Sequence, residues 1–144
     1  MIVDFYQLTA TPLERVLPRI CERLLETRER LLIVAAPEQL DRLDQLLWTY
    51  KADSFLPHGK ADADDPERQP ILLAPEAHAG NEARNIALAD GRWRDEALQF
   101  DRTFYFFDNG GAEEARQVWR QLGGREGLER RYWRQENGKW VQGP

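Results

Sequence analysis

The stretch Arg30–Tyr50, RLLIVAAPEQLDRLDQLLWTY, decides the fold. Its first part, LLIVAA from Leu31 to Ala36, is an almost unbroken apolar run. A strand that alternates apolar and polar residues buries one face; one that is apolar throughout is buried on both, as in a parallel sheet covered by helices. Pro37 then opens a helix, because its fixed φ suits the first helical turn and its missing N–H would have had no partner there. Leu40, Leu43, Leu46, Leu47 and Tyr50 follow on one face of that helix. A doubly buried strand running straight into an amphipathic helix is the opening of a βαβ unit.

On the N-terminal side, IVDFYQL (Ile2 to Leu8) has the β-branched and aromatic content of a first strand. Thr11-Pro12-Leu13-Glu14 has the form of a capping box with proline at the first helical position. Leu13, Val16, Leu17, Ile20, Cys21, Leu24 and Leu25 continue at helical spacing. Pro18 falls inside that pattern and predicts either a kink or a start delayed towards Val16. On the C-terminal side, Lys51 to Gln69 reads as a loop containing the acidic run DADDPE. Further strands follow at PILLA (Pro70–Ala74), NIALA (Asn85–Ala89) and RTFYFFD (Arg102–Asp108). An Asn-Gly-Gly turn leads to a helix from Ala112 to Leu122, and RYWRQENGKWV closes the chain as a hairpin turning at Asn137-Gly138. The expected architecture is a single-domain three-layer α/β/α sandwich over residues 1–144, Rossmann-like, with a mostly parallel central sheet and a C-terminal hairpin.

Composition narrows the function. The chain has 144 residues, 42% hydrophobic and 31% charged, with a net charge of −5. That is a globular profile, with enough chain to bury one core. The longest apolar run is too short to cross a bilayer, and the N-terminus lacks the basic-then-apolar pattern of a secretory signal. The lone Cys21 has no partner for an internal disulfide, and a cytoplasmic location is expected. The acidic balance disfavours wholesale binding of a phosphate backbone and leaves only a local patch for nucleic acid. Charge is unevenly spread: from Ala112 to Pro144 seven basic residues face five acidic ones. Arg alternates there with Trp, a combination suited to an anionic, partly apolar ligand such as a peptide end.

Catalytic signals are weak. LTATPLE after the first strand has no glycines to let a phosphate approach backbone amides. His58 and His78 have no Cys, His or carboxylate partner at metal-ligand spacing. Cys21 reads as a small core residue, and Asp4, though on a strand, reads as a solvated or capping aspartate. His58, in SFLPHG, reads as a structural or interface residue more readily than as a general base. Trp48 sits at the edge of its helix's apolar stripe, equally suited to capping the core or to joining Phe55, Leu56 and Pro57 in an exposed patch.

Five segments resemble, in order and spacing, the chi subunit of bacterial DNA polymerase III, an accessory component of the clamp-loader assembly. They are FYQL (Phe5–Leu8), Arg30–Tyr50, DSFLPHG (Asp53–Gly59), FFDNG with ARQVWR (Phe106–Arg120), and YWRQENGKW (Tyr132–Trp140). The resemblance implies a non-catalytic adaptor on a Rossmann-like fold without its nucleotide site, with no catalytic residue, cofactor or metal. It implies binding of the psi subunit on one surface and of the acidic C-terminal tail of single-stranded-DNA-binding protein on another. Weak or indirect nucleic-acid contact is expected, no membrane, and a monomer or a heterodimer with psi. Trp48, Phe55, Leu56, Pro57 and His58 match the positions that resemble the psi surface. Arg116, Trp119 and Arg120 match those that resemble the tail site, and at i, i+3 and i+4 they share a helix face. A basic residue that the family carries one turn earlier falls on Ala112 here, followed by Glu113 and Glu114. Arg125, Arg131 and Arg134 are the candidates to compensate. Two alternatives stand beside this reading: a small nucleotide-dependent enzyme, and a direct binder of single-stranded nucleic acid.

Overall fold

A computed structural model describes residues 1–9, 12–50, 56–62, 65–78, 80–136 and 139–143. The strands are β1 (Ile2–Gln7), β2 (Leu31–Val34), β3 (His58–Lys60), β4 (Ile71–Ala74), β5 (Asn85–Leu88), β6 (Arg102–Phe107), β7 (Glu129–Glu136) and β8 (Lys139–Gly143). The helices are α1 (Leu13–Glu26), α2 (Pro37–Thr49) and α3 (Ala112–Leu122). All eight strands form one sheet in the order β3-β4-β2-β5-β6-β1-β7-β8. Every pairing in it is parallel except the antiparallel hairpin β7–β8. The chain is thus an α/β protein with a mostly parallel sheet and a terminal hairpin, as its apolar runs imply.

Both faces of the sheet are covered. α1 and α2 press Leu17, Ile20, Leu24, Leu43 and Leu47 onto the face that carries Ile33, Leu73, Phe104 and Phe106. α3 presses Ala115, Val118 and Leu122 onto the opposite face, against Phe5, Leu88, Tyr105 and Phe107. The four residues of β2 are all wholly buried, which is why LLIV shows no alternation. Alternation reappears at the hairpin side of the sheet. Along β7, Arg131 and Trp133 face α1, whereas Arg130 and Tyr132 face α3.

Four expectations need correction. Pro12 is the residue before α1, in extended conformation, and the first helical residue is Leu13; Thr11 lies outside the described residues. The helix is not delayed: it runs through Pro18, whose ring is buried and whose missing N–H forfeits one helical hydrogen bond. The segment 51–69 is not all loop, because His58–Lys60 adds a parallel strand beside β4, continued by an Ala61 N–H to Leu73 carbonyl bond of 2.8 Å. Asp4 is neither solvated nor a cap but wholly buried. The hairpin register runs from Tyr132 opposite Gly143 to Glu136 opposite Lys139; the turn expected at Asn137-Gly138 lies outside the described residues.

Candidate functional site

The residues expected to bind psi divide by depth. α2 ends at Thr49, so Trp48 sits in its last turn, and 52% of its surface is exposed. Beneath it is the His58 ring, with centroids 4.6 Å apart. His58 is buried and anchored at both nitrogens. Its Nδ1 lies 2.6 Å from the Leu56 carbonyl, which can only accept, so the Nδ1 proton is donated there. Its Nε2 lies 3.1 Å from Asp44 Oδ1 and 3.2 Å from the Asp44 carbonyl. Leu56 is 2% exposed and belongs to the core beneath α1 and α2. Pro57 is half-buried. Of the described members of this group, Trp48 thus offers the ring surface, while His58 and Leu56 support it from below. Phe55 lies outside the described residues.

The second group gathers around Trp119. Its indole packs edge-on against Phe5 at 5.2 Å and Tyr132 at 5.9 Å, while the Arg130 guanidinium lies 4.1 Å above the ring. Arg130 also donates to the Trp119 carbonyl, which ties β7 to the end of α3. Beside the indole opens a cavity of about 330 Å³, lined by Gln7, Ala115, Arg116, Trp119, Tyr132 and Arg134. Arg116 and Trp119 are therefore brought together, and Arg120 is not part of the lining. Of the three arginines that sequence left open, Arg134 joins the cavity. Arg131 faces α1 and is committed to Asp4, and Arg125 is exposed in the turn after α3. The cavity also recruits Gln7 and Tyr132, joined by a hydrogen bond from the phenol, which sequence reasoning missed. The period-two alternation of RRYWR, with Tyr132 and Arg134 on one side, was the available signal.

Among the described residues, the ion-pair partners of the two guanidiniums at this cavity are exposed. Arg116 pairs with Glu113 at 3.2 Å and Arg134 with Glu136 at 2.9 Å. Exposed ion pairs of this kind are worth little, so either arginine can turn to an incoming carboxylate at small cost.

Residues 1–130 match the family described as DNA polymerase III chi subunit, HolC. The chain belongs to that family. Membership gives it an accessory role in DNA replication. No curated protein matches it. The chi match covers β1 to β6, all three helices, the residues around Trp48, and Gln7, Ala115, Arg116, Trp119 and Arg130 of the second group; it ends inside β7, before Tyr132. Trp133, Arg134 and all of β8 lie beyond it.

In such folds nucleotides usually sit in the crevice beyond the carboxyl ends of the strands. Above β1, β5 and β6 it is lined by Glu14, Asp90 and Asp108. Burial works to raise the pKa of Asp90, but the hydrogen bonds from Arg94, at 2.7 and 2.9 Å, and from the Arg92 N–H outweigh it, so the carboxyl titrates below its usual range. Cys21 is wholly buried, and burial pushes its thiol up to about 12. Among the described residues no helix is long and apolar enough to cross a membrane.

Proposed function

We propose that the chain is a non-catalytic adaptor of the polymerase III holoenzyme, joining the clamp loader through psi to the acidic C-terminal tail of single-stranded-DNA-binding protein. The observation that carries this reading is the cavity beside Trp119. A tail that is acidic and ends in an apolar residue with a free carboxylate needs two things side by side. One is guanidinium to hold carboxylates; the other is an apolar wall for the last side chain. Arg116 and Arg134 supply the first, and Ala115, Trp119 and Tyr132 the second. The exposed indole of Trp48, on the α2 side of the molecule, is a separate platform suited to psi.

Calorimetric titration with a synthetic tail peptide tests it. Arg116→Ala and Arg134→Ala are each expected to weaken binding by about 1–3 kcal/mol at low ionic strength and by less at high salt. Arg120→Ala acts through the long-range field alone and costs less. Psi binding stays unchanged in all three. Equal affinity for wild type and the Arg116→Ala/Arg134→Ala double variant would move the tail site elsewhere. The enzyme alternative is weakened by Glu14 and Asp108 in the crevice lining, carboxylates that disfavour a polyphosphate there. No rise in melting temperature on adding nucleotide is the expected result.

A further inference from the structure

The face of the sheet opposite the Trp119 cavity carries a second concentration of arginine and aromatic side chains. It is a groove of about 300 Å³ between α1 and the hairpin. Five arginines line it: Arg15, Arg19 and Arg23 from α1, Arg102 from β6 and Arg131 from β7. No acidic side chain is among its described lining residues. α1 itself has as many carboxylates as guanidiniums, Glu14, Glu22 and Glu26 against the three arginines, so the excess of positive charge arises from placement. Asp4 lies beneath the groove floor, where it holds Arg102 and Arg131 in position without presenting its own surface. A smaller cavity of about 170 Å³ continues the groove past Arg23 and Arg102 and ends at Glu29.

The remaining wall is aromatic. Tyr6 and Trp133 lie with planes only 14° apart and centroids at 6.3 Å, and Trp140 meets Tyr6 edge-on at 5.2 Å. All three are partly exposed. Arg15, Arg19 and Arg23 are exposed, one helical turn apart, so their stems rise along the groove by about 6 Å per step. None of the three makes an ion pair among the described residues.

We propose that this groove binds a short segment of single-stranded nucleic acid, its phosphates on the α1 arginines and its bases against Trp133 and Trp140. A basic track beside aromatic faces is the arrangement by which single strands are held without reading sequence, because every base has a π-face and every linkage a charge. An acidic peptide would use the arginines, but its carboxylate side chains leave the aromatic wall without a stacking partner at each step, whereas a single strand brings one base per phosphate. A duplex hides its base faces and spreads charge over a surface wider than one narrow groove on a chain of net charge −5. The groove is on the other side of the sheet from the tail cavity and shares no residue with it, so this proposal and the adaptor reading stand or fall separately. It goes beyond the indirect contact that the sequence led us to expect.

Fluorescence anisotropy of labelled oligothymidylate titrated with the full chain at low salt tests it. The triple variant Arg15→Ala/Arg19→Ala/Arg23→Ala keeps good helix formers on α1 and is expected to bind about tenfold more weakly or worse. Its log–log salt dependence should be flatter by about 0.7 for each phosphate contact removed. Trp140→Ala should also weaken binding, with Trp140→Phe restoring most of it, since a ring still stacks; melting curves separate this from loss of fold. Arg116→Ala, on the opposite face, should bind as wild type. Three results would overturn the proposal: no binding by wild type, undiminished binding by the triple variant, or displacement of the oligonucleotide by polyglutamate as readily as by unlabelled oligothymidylate. The last would assign the groove to an acidic peptide.

Discussion

Arg131 grips Asp4 side-on, with Nε 2.6 Å from Oδ1 and Nη2 2.9 Å from Oδ2, across 127 residues of sequence. The carboxylate is wholly buried, yet each oxygen receives two donors, since the Trp133 indole N–H adds to Oδ1 at 3.0 Å and Arg102 Nε to Oδ2 at 3.0 Å. A lone buried carboxylate would be prohibitive; this one is neutralised and saturated. Asp4, Arg102 and Arg131 come from β1, β6 and β7, three adjacent strands, so the network fastens the two ends of the chain together.

Removing Arg131 therefore leaves buried charge poorly matched. Arg131→Met is expected to cost about 2–3 kcal/mol in urea denaturation, less than for a fully buried pair because Arg102 remains. Arg131→Lys should recover only part of the loss, since an ammonium lacks the planar fork that meets both oxygens.

The Asp90–Arg94 pair makes stability depend on acid. With the folded pKa of Asp90 below the unfolded one, its contribution is fully present above the ordinary carboxylate pKa. It is lost as pH falls through the lowered value, because the unfolded chain then binds the extra proton. Arg94→Ala should cost about 1.5 kcal/mol at neutral pH, and the difference from wild type should shrink towards zero in acid. Thermal melts of both proteins across that range check it.

Cys21 should be chemically silent. A wholly buried thiol whose pKa is pushed up to about 12 presents almost no thiolate near neutrality. Thiol-disulfide exchange with a chromogenic disulfide should be negligible in native buffer and rapid in denaturant. Cys21→Ser, which places a stronger hydrogen-bonding group on the apolar face of α1, is expected to cost about 1–3 kcal/mol of stability.

Trp48 and His58 touch, yet their substitution should have different consequences. Trp48→Ala removes an exposed ring and is expected to weaken psi binding by about 2 kcal/mol with little change in melting temperature. Phe55→Ala should act similarly. His58→Ala removes the donor to the Leu56 carbonyl and leaves a void beneath Trp48, and should lower stability by about 1–3 kcal/mol. Melting curves beside a psi titration separate the two; a Trp48→Ala variant with full affinity would remove the platform from the psi surface.

The sequence by itself determined the elements whose signals are local. LLIV announced a doubly buried strand, Pro37 the start of α2, and the AEEARQVWRQL periodicity all of α3, because hydrophobic spacing and backbone restriction act within a few residues. The pairing of Arg116 with Trp119 was legible for the same reason, as neighbours on one helix face. β3 was not legible: three residues centred on glycine show no alternation, and they become a strand only because β4 offers them a free edge. Nor was the choice of Arg134 for the cavity beside Trp119 and Arg131 for Asp4. That choice depends on the register of β7 against β1, a pairing between the two ends of the chain, and a shift of one residue would exchange the two arginines between faces. Long-range strand pairing, which no local pattern encodes, thus decided which basic residues face the proposed tail site and which line the α1 groove.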